Sequence, residues 1–164
     1  MYKIVLESSD DGASWTKKNG TGLAEASSQV GPGRFLAIGD DLFLGVAGVW
    51  KSSDDGDSWT KIDQGFASSD TRCLYYDGTT LYTSVYSQRM TYKSTDKGAT
   101  WTDFGGTGSW FFKAMAKHNG ALFGVIHSKD SIYSFGNPGG GTNGISDIMN
   151  TADLKIYPNP AQNQ

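Results

Sequence analysis

The residues best equipped for chemistry in this sequence are acidic, and they recur. Asp10, Asp54 and Asp96 each stand in a nine-residue box: SSDDGASWT (8–16), SSDDGDSWT (52–60) and STDKGATWT (94–102). Carboxylates beside a glycine turn can hold a hard cation or divide acid and base roles. The ligand spacing of a calcium-binding EF-hand loop is absent, so no box is assigned a metal. A short acidic side chain can instead accept hydrogen bonds from the N–H groups of its own turn.

The remaining inventory is thin. Glu7 and Glu25 are the two glutamates, and Arg34, Arg72 and Arg89 the three arginines. Glu7 adjoins the first box, and Glu25 sits in a polar loop. Asp70 is the other carboxylate to test for hydrolysis. Arg34, Arg72 and Lys113 occupy matching positions in successive stretches, which reads either as a basic mouth for an anion or as plain repetition. His118 precedes an Asn-Gly turn. His127 lies in a connection without a second ligand at metal spacing. No Ser-His-Asp grouping or phosphate-cradling glycine loop is visible. Cys73 is the lone cysteine, read as a small buried apolar side chain; no disulfide within the chain is possible. No cofactor is expected.

The elements that must carry these residues follow from spacing. Trp15, Trp59 and Trp101 are 44 and 42 residues apart, a period typical of four-stranded propeller blades. Short apolar runs fill each interval: 34–40, 41–46, 48–53 and 58–62, then 71–78, 80–85, 89–95 and 100–104. Asp40-Asp41, Asp77-Gly78 and Asn119-Gly120 fall between such runs as hairpin turns do. A further copy starts at 111–136 without a box. The expectation is an all-β propeller of four-stranded antiparallel blades, incomplete at about three and a half blades and thirteen strands. Leu6, Trp50 and Tyr92, each two residues before a box serine, mark a packing position on the third strand. Each box tryptophan is expected to bury its ring, and each box glycine to supply a backbone angle that a Cβ would penalise.

The box residues Ser8, Asp10, Gly12, Ser14, Trp15; Ser52, Asp54, Gly56, Ser58, Trp59; and Ser94, Asp96, Gly98, Thr100, Trp101 resemble the Asp-box, or BNR repeat, of sialidase-like and sortilin-like propellers. That resemblance covers residues 1 to about 140. It implies that the boxes are structural fasteners at the blade periphery, away from any catalytic centre.

Residues 1–136 are read as the propeller segment and 137–152 as a Gly-rich linker. Residues 153–164, DLKIYPNPAQNQ, are a separate terminal stretch whose prolines impose an extended, turn-like path. Here Leu154, Ile156, Tyr157, Pro158, Asn159, Pro160 and Ala161 resemble the opening of the C-terminal sorting domain that Bacteroidetes-type bacteria use for type IX secretion. The resemblance implies engagement of that secretion machinery and a secreted or cell-surface location. The N-terminal stretch lacks the apolar length of a signal peptide: either the protein is not exported or its natural beginning is missing here.

A net charge of −3 without a basic stripe argues against nucleic acid as a partner. No apolar run reaches membrane-spanning length. A propeller that lacks blades is expected to belong to a larger ring or to complete one by self-association.

Binding is the favoured function. The loops away from the boxes carry Phe66, Tyr86, Arg89, Trp110, Phe111 and His127, an aromatic and polar set suited to glycans or a surface protein. For Tyr86 and Trp110, packing inside the fold is the competing role; Trp50 is assigned to the core. The alternatives are a glycoside hydrolase fragment, sialidase-like or similar to the propeller endoglucanases, and a purely structural repeat of a larger exoprotein.

Overall fold

The computed structural model describes residues 5–18, 20–23, 34–66, 70–104, 112–126, 132–135 and 146–147. Every element in them is a β-strand or a turn, apart from short irregular pieces. Strands β1 (Leu6–Glu7) and β2 (Thr16–Lys17) pair as an antiparallel ribbon. A second sheet runs β3 (Arg34–Ile38), β4 (Asp41–Gly45), β5 (Val49–Ser52) and β6 (Thr60–Lys61) in that order. A third runs β7 (Thr71–Tyr76), β8 (Leu81–Val85), β9 (Met90–Ser94) and β10 (Thr102–Asp103), and a fourth β11 (Phe112–His118), β12 (Ala121–Ile126), β13 (Ile132–Phe135) and β14 (Ser146–Asp147). Strand β7 lies against both β3 and β11, so the first strands of successive sheets stand side by side on the inner edge of an arc. These are propeller blades: three of four strands and one represented by its outer pair. They are called blades one to four below.

The described residues hold fourteen strands. Strand β14 pairs with β13 through Tyr133↔Asp147 and Ser134↔Ser146, and it falls inside the stretch that composition marks as a linker. Two residues without apolar alternation give no periodic signal. The hairpins are close to expectation, with one shift. Ile38 pairs with Asp41, so the turn is Gly39-Asp40 rather than Asp40-Asp41; Gly39 at φ +62° takes the first central place, as a type II′ turn requires. Asn119 and Gly120 both have positive φ, 49° and 80°, the type I′ signature.

Apolar alternation builds a core between each pair of blades. Ile38, Phe43 and Val49 of blade two pack with Leu81, Val85, Phe66 and Trp101 on the blade-three side. Leu23, Val46, Ala47, Trp50 and Trp59 form the corresponding layer between blades one and two, flanked by Val5, Leu42 and Leu44. Each Val, Leu, Ile or Phe side chain among them contributes ~1.5–3 kcal/mol when fully buried. Strand β8 is buried at every residue, so its hydroxyls need partners. Thr83 Oγ1 donates to the Cys73 carbonyl at 3.1 Å, and Ser84 Oγ sits 2.9 Å from Thr91 Oγ1. Ser84 Oγ also accepts from the Phe112 N–H at 3.3 Å, which ties blade three to β11.

The three boxes adopt one geometry. In the second, Ser52 Oγ accepts from Gly56 N–H (2.9 Å) and donates to Asp54 Oδ1 (2.7 Å), which also accepts from Ser58 N–H (2.8 Å). The other boxes repeat these bonds with Ser8, Asp10, Gly12 and Ser14, and with Ser94, Asp96, Gly98 and Thr100. Two consecutive left-handed residues make the turn: Asp11-Gly12, Asp55-Gly56 and Lys97-Gly98 have φ near 54° and 87°. The box hydroxyl, Ser58 or Thr100, and then the remaining donors hold Asp54 and Asp96 down to about 2.

An apolar residue from the preceding loop plugs each enclosed box. Leu23 lies in the layer with Trp59, and Phe66 stacks on Tyr92 at 4.7 Å and meets Trp101 edge-on at 5.4 Å. Ion pairs also cross each junction: Lys18 to Asp57 (3.5 Å), Lys97 to Asp41 (3.0 Å) and Lys117 to Asp77 (2.9 Å). Two expectations fail at blade one. Trp59 and Trp101 are 5% and 8% exposed, but Trp15 is 61% exposed, and Leu6 is exposed where Trp50 is buried. The second and third blades receive a preceding sheet and its plug; among the described residues nothing covers Trp15 in that way.

Candidate functional site

In an antiparallel blade the boxes and the β3–β4, β7–β8 and β11–β12 hairpins lie at one end of the strands. The opposite end, the rim, carries the β4–β5 and β8–β9 turns and the starts of the inner strands. The two described rim turns differ sharply. Val46-Ala47-Gly48 joins β4 to β5 and is buried. Tyr86-Ser87-Gln88-Arg89 joins β8 to β9, is one residue longer, and leaves Tyr86 45% exposed with Ser87 and Arg89 also exposed.

Strand β7 delivers a cation to this turn. Thr71 pairs with Val85 and Cys73 with Ser84, leaving Arg72 as the extra residue of a β-bulge, a device that redirects a side chain. Its guanidinium makes a two-point ion pair with Asp70, Nε to Oδ1 at 2.8 Å and Nη2 to Oδ2 at 3.0 Å. It also lies 5.1 Å from the centre of the Tyr86 ring, within cation–π range. The backbone closes the group: Tyr86 N–H donates to the Asp70 carbonyl at 2.9 Å, and Arg89 N–H to the Tyr86 carbonyl at 3.1 Å. Arg89 is held at φ +53°. Tyr92 donates to Gln88 Oε1 at 2.6 Å and anchors the turn to the core. The result is an exposed phenol ring backed by a fixed planar cation.

Of the three basic residues expected to match, Arg34 opens β3, whereas Arg72 and Lys113 are the second residues of β7 and β11. Lys113 is likewise a bulge residue, between Phe112 and Ala114, whereas Arg34 pairs regularly with Gly45. Arg72 is committed to Asp70. Burial pushes the Cys73 thiol up to about 12, against a smaller opposing pull from Arg34; such a thiol is a packing group.

Of the expected ligand residues, the structure brings Tyr86 and Arg89 together on the rim. Phe66 does not reach it: the ring is buried between Tyr92 and Trp101 as a plug. Trp50 is core, as expected, with its indole N–H donating to the Val46 carbonyl at 2.8 Å. Trp110, Phe111, His127, Glu25 and the tail motif Tyr157, Pro158, Asn159 and Pro160 lie outside the described residues. Asp70 and Arg72 belong to the rim group; the sequence marked Asp70 only as a carboxylate to test for hydrolysis and Arg72 only as part of a basic mouth for an anion, and neither as a partner of Tyr86. Their i, i+2 spacing at a strand start was the available signal. At the box end, Lys51, Ser53, Asp54, Ser58, Thr60 and Ile62 line an open groove, but both Asp54 oxygens are engaged within the box. Among the described residues, no group of three or more His, Cys, Asp or Glu is placed to hold a metal, and no helix is long and apolar enough to cross a membrane.

Neither a protein-family profile nor a curated protein matches the chain. Among solved structures it is similar to the GH74 enzyme of Niastella koreensis, at 20% identity and TM-score 0.64 over 92% of this chain. It is also similar to YCF48 bound to a D1 peptide, at 17% identity and TM-score 0.54 over 80% of this chain. The chain spans 26% of the first of these and 44% of the second. At such identities the likeness shows a fold, and that fold is the β-propeller.

Proposed function

We propose that this chain is a non-catalytic propeller module that binds an extended peptide segment of a protein partner at the rim of blade three. One observation carries the reading: Tyr86 is exposed while its backing cation, Arg72, is fixed by Asp70. An aromatic ring held in place offers contact area at small entropic cost, and Tyr and Arg are the residue types enriched where binding energy concentrates. The peptide held by the structural neighbour YCF48 supports this ligand class. Glycoside hydrolysis needs a pair of carboxylates about 5–10 Å apart, one a proton donor; the Asp70 carboxylate is instead paired with Arg72 on both oxygens.

The same proposal takes the boxes as Asp-box fasteners and the tail as the opening of a type IX sorting domain, a reading that implies a secreted or cell-surface location. Support for both comes from the residues: the box network for the first, Leu154 to Ala161 for the second.

Selection of peptides from a displayed random library, with a glycan array in parallel, tests the function. The expected result is a set of peptides whose affinity falls about tenfold or more in Tyr86→Ala and in Arg72→Ala, the scale of a hot-spot loss, with the melting temperature of Tyr86→Ala unchanged. Glycan capture without peptide capture, or binding indifferent to both substitutions, would overturn the proposal.

A further inference from the structure

The last residue of the rim turn differs between blades two and three. Gly48 closes the β4–β5 turn at φ +118°, and Arg89 closes the β8–β9 turn at φ +53°. A left-handed backbone suits glycine and penalises a residue with a Cβ. The other non-glycine residues held there have local reasons. Asp11, Asp55 and Lys97 share the box turn, Asn119 belongs to a type I′ hairpin, and Ala47 is packed in the core. Arg89 has none of these. It is exposed, and among the described residues no hydrogen bond or ion pair reaches its guanidinium. Strain of this kind collects where a side chain serves a ligand.

The charge of Arg89 is also the one that the turn leaves uncompensated. Arg72 is neutralised by its two-point pair with Asp70, and Ser87 and Gln88 carry no charge. The exposed Tyr86 ring and the Arg89 side chain leave the two ends of one β-turn, closed by the Arg89 N–H on the Tyr86 carbonyl at 3.1 Å. The end Cα atoms of such a turn lie within about 7 Å of each other. An extended chain advances about 3.3 Å per residue and sends alternate side chains to one face. Two positions along a peptide therefore span the distance from ring to cation.

We propose that Arg89 is the specificity-determining residue of this rim, selecting peptides that carry a carboxylate two positions from the side chain lying on Tyr86. The inference rests on the peptide-binding reading and adds to it the charge and the spacing of the ligand. A guanidinium donates two parallel N–H bonds to a carboxylate, which distinguishes Asp or Glu from their amides. The carboxylate belongs either to an acidic side chain or to a chain terminus.

Two displayed random libraries test this on the parent chain, one complete and one without Asp and Glu. Peptides from the complete library should share a carboxylate at that spacing and bind about three- to tenfold more tightly than those from the other, between the effect of an exposed ion pair and that of a charge-assisted hydrogen bond. Synthetic versions of one selected peptide then complete a cycle. Changing its acidic residue to the amide, or Arg89→Gln in the protein, should each lose that factor, and the two together no more than either alone. Amidating the peptide C-terminus separates a terminal carboxylate from a side-chain one. Arg89→Lys, which keeps the charge without the planar fork, should recover part of the affinity. Arg89 is exposed, so both variants should keep the parent melting temperature. If Arg89→Gln does not, the amide peptide on the parent chain reads the same contact. Peptides that need Tyr86 but bind equally well without the carboxylate, or losses that add in full, would overturn this inference and leave the peptide reading standing. Peptides indifferent to Tyr86→Ala would overturn both.

Discussion

The indole N–H of Trp101 donates to the Ile62 carbonyl at 2.6 Å, a bond from the third box to the blade before it. The corresponding N–H of Trp59 stays within its own box, on the Gly56 carbonyl at 3.0 Å, yet its ring is buried too. The rings of blades two and three therefore work as rivets between blades. Urea denaturation should show a loss of about 3–5 kcal/mol for Trp59→Ala or Trp101→Ala, as for large aromatic truncations in a core. Trp15→Ala, with its ring 61% exposed, should stay within about 0.5 kcal/mol of the parent.

Glycine substitutions separate backbone strain from packing. Gly12 and Gly98 share φ +87°. Among the described residues, a Cβ on Gly12 would meet only Trp15 Cζ2, at 3.7 Å, whereas one on Gly98 would clash with Ile62 Cδ1. Gly12→Ala should cost about 1–2 kcal/mol for the left-handed conformation alone. Gly98→Ala should cost measurably more, because Ile62 must move; equal costs in chemical denaturation would show that the third box does not press on blade two as described.

Acid should unfasten the blades. Hydrogen bonds from Ser53 and then Lys97 hold the Asp41 carboxyl down to about 2, and the box donors do the same for Asp54 and Asp96. These folded values lie below the ordinary carboxylate value near 3.8. The groups thus stabilise the native state above about pH 4, and that contribution is lost as pH falls toward 2. Thermal melts at fixed ionic strength should be flat from neutrality to about pH 5 and then drop steeply. Asp41→Asn should flatten part of the drop; an unchanged pH profile in that variant would remove Asp41 from the account.

Native Cys73 should resist alkylation at mildly alkaline pH and react fully in denaturant, because burial keeps its thiol protonated. Rapid labelling of the folded chain would mean that β7 opens locally at low cost.

The sequence made the repeat legible because each box concentrates its signal: a serine, an aspartate, a glycine and a tryptophan at fixed offsets, with the serine and aspartate side-chain bonds closing within nine residues. Hairpin positions were legible for the same local reason, with Gly39-Asp40 misplaced by one residue because Asp40 and Asp41 are both acceptable turn residues. What depends on neighbours was not legible. Trp15 carries the same box as Trp59 but has a different environment. Phe66 looks like a loop aromatic and is a plug, because its partners Tyr92 and Trp101 are far along the chain. Strand β14 is too short and polar to announce itself. The rim group was half visible: Tyr86 and Arg89 as residue types, but not the bulge that turns Arg72 toward the ring, since a bulge leaves no fixed sequence mark.

The most direct measurement of the central claim is the footprint of a selected peptide on the isotope-labelled chain, read from backbone amide shifts. The account predicts perturbations concentrated at residues 70–72 and 86–89, absent in the Tyr86→Ala variant, with the box amides of 52–60 and 94–102 unmoved. A footprint confined to the boxes, or one that persists unchanged without the Tyr86 ring, would contradict it.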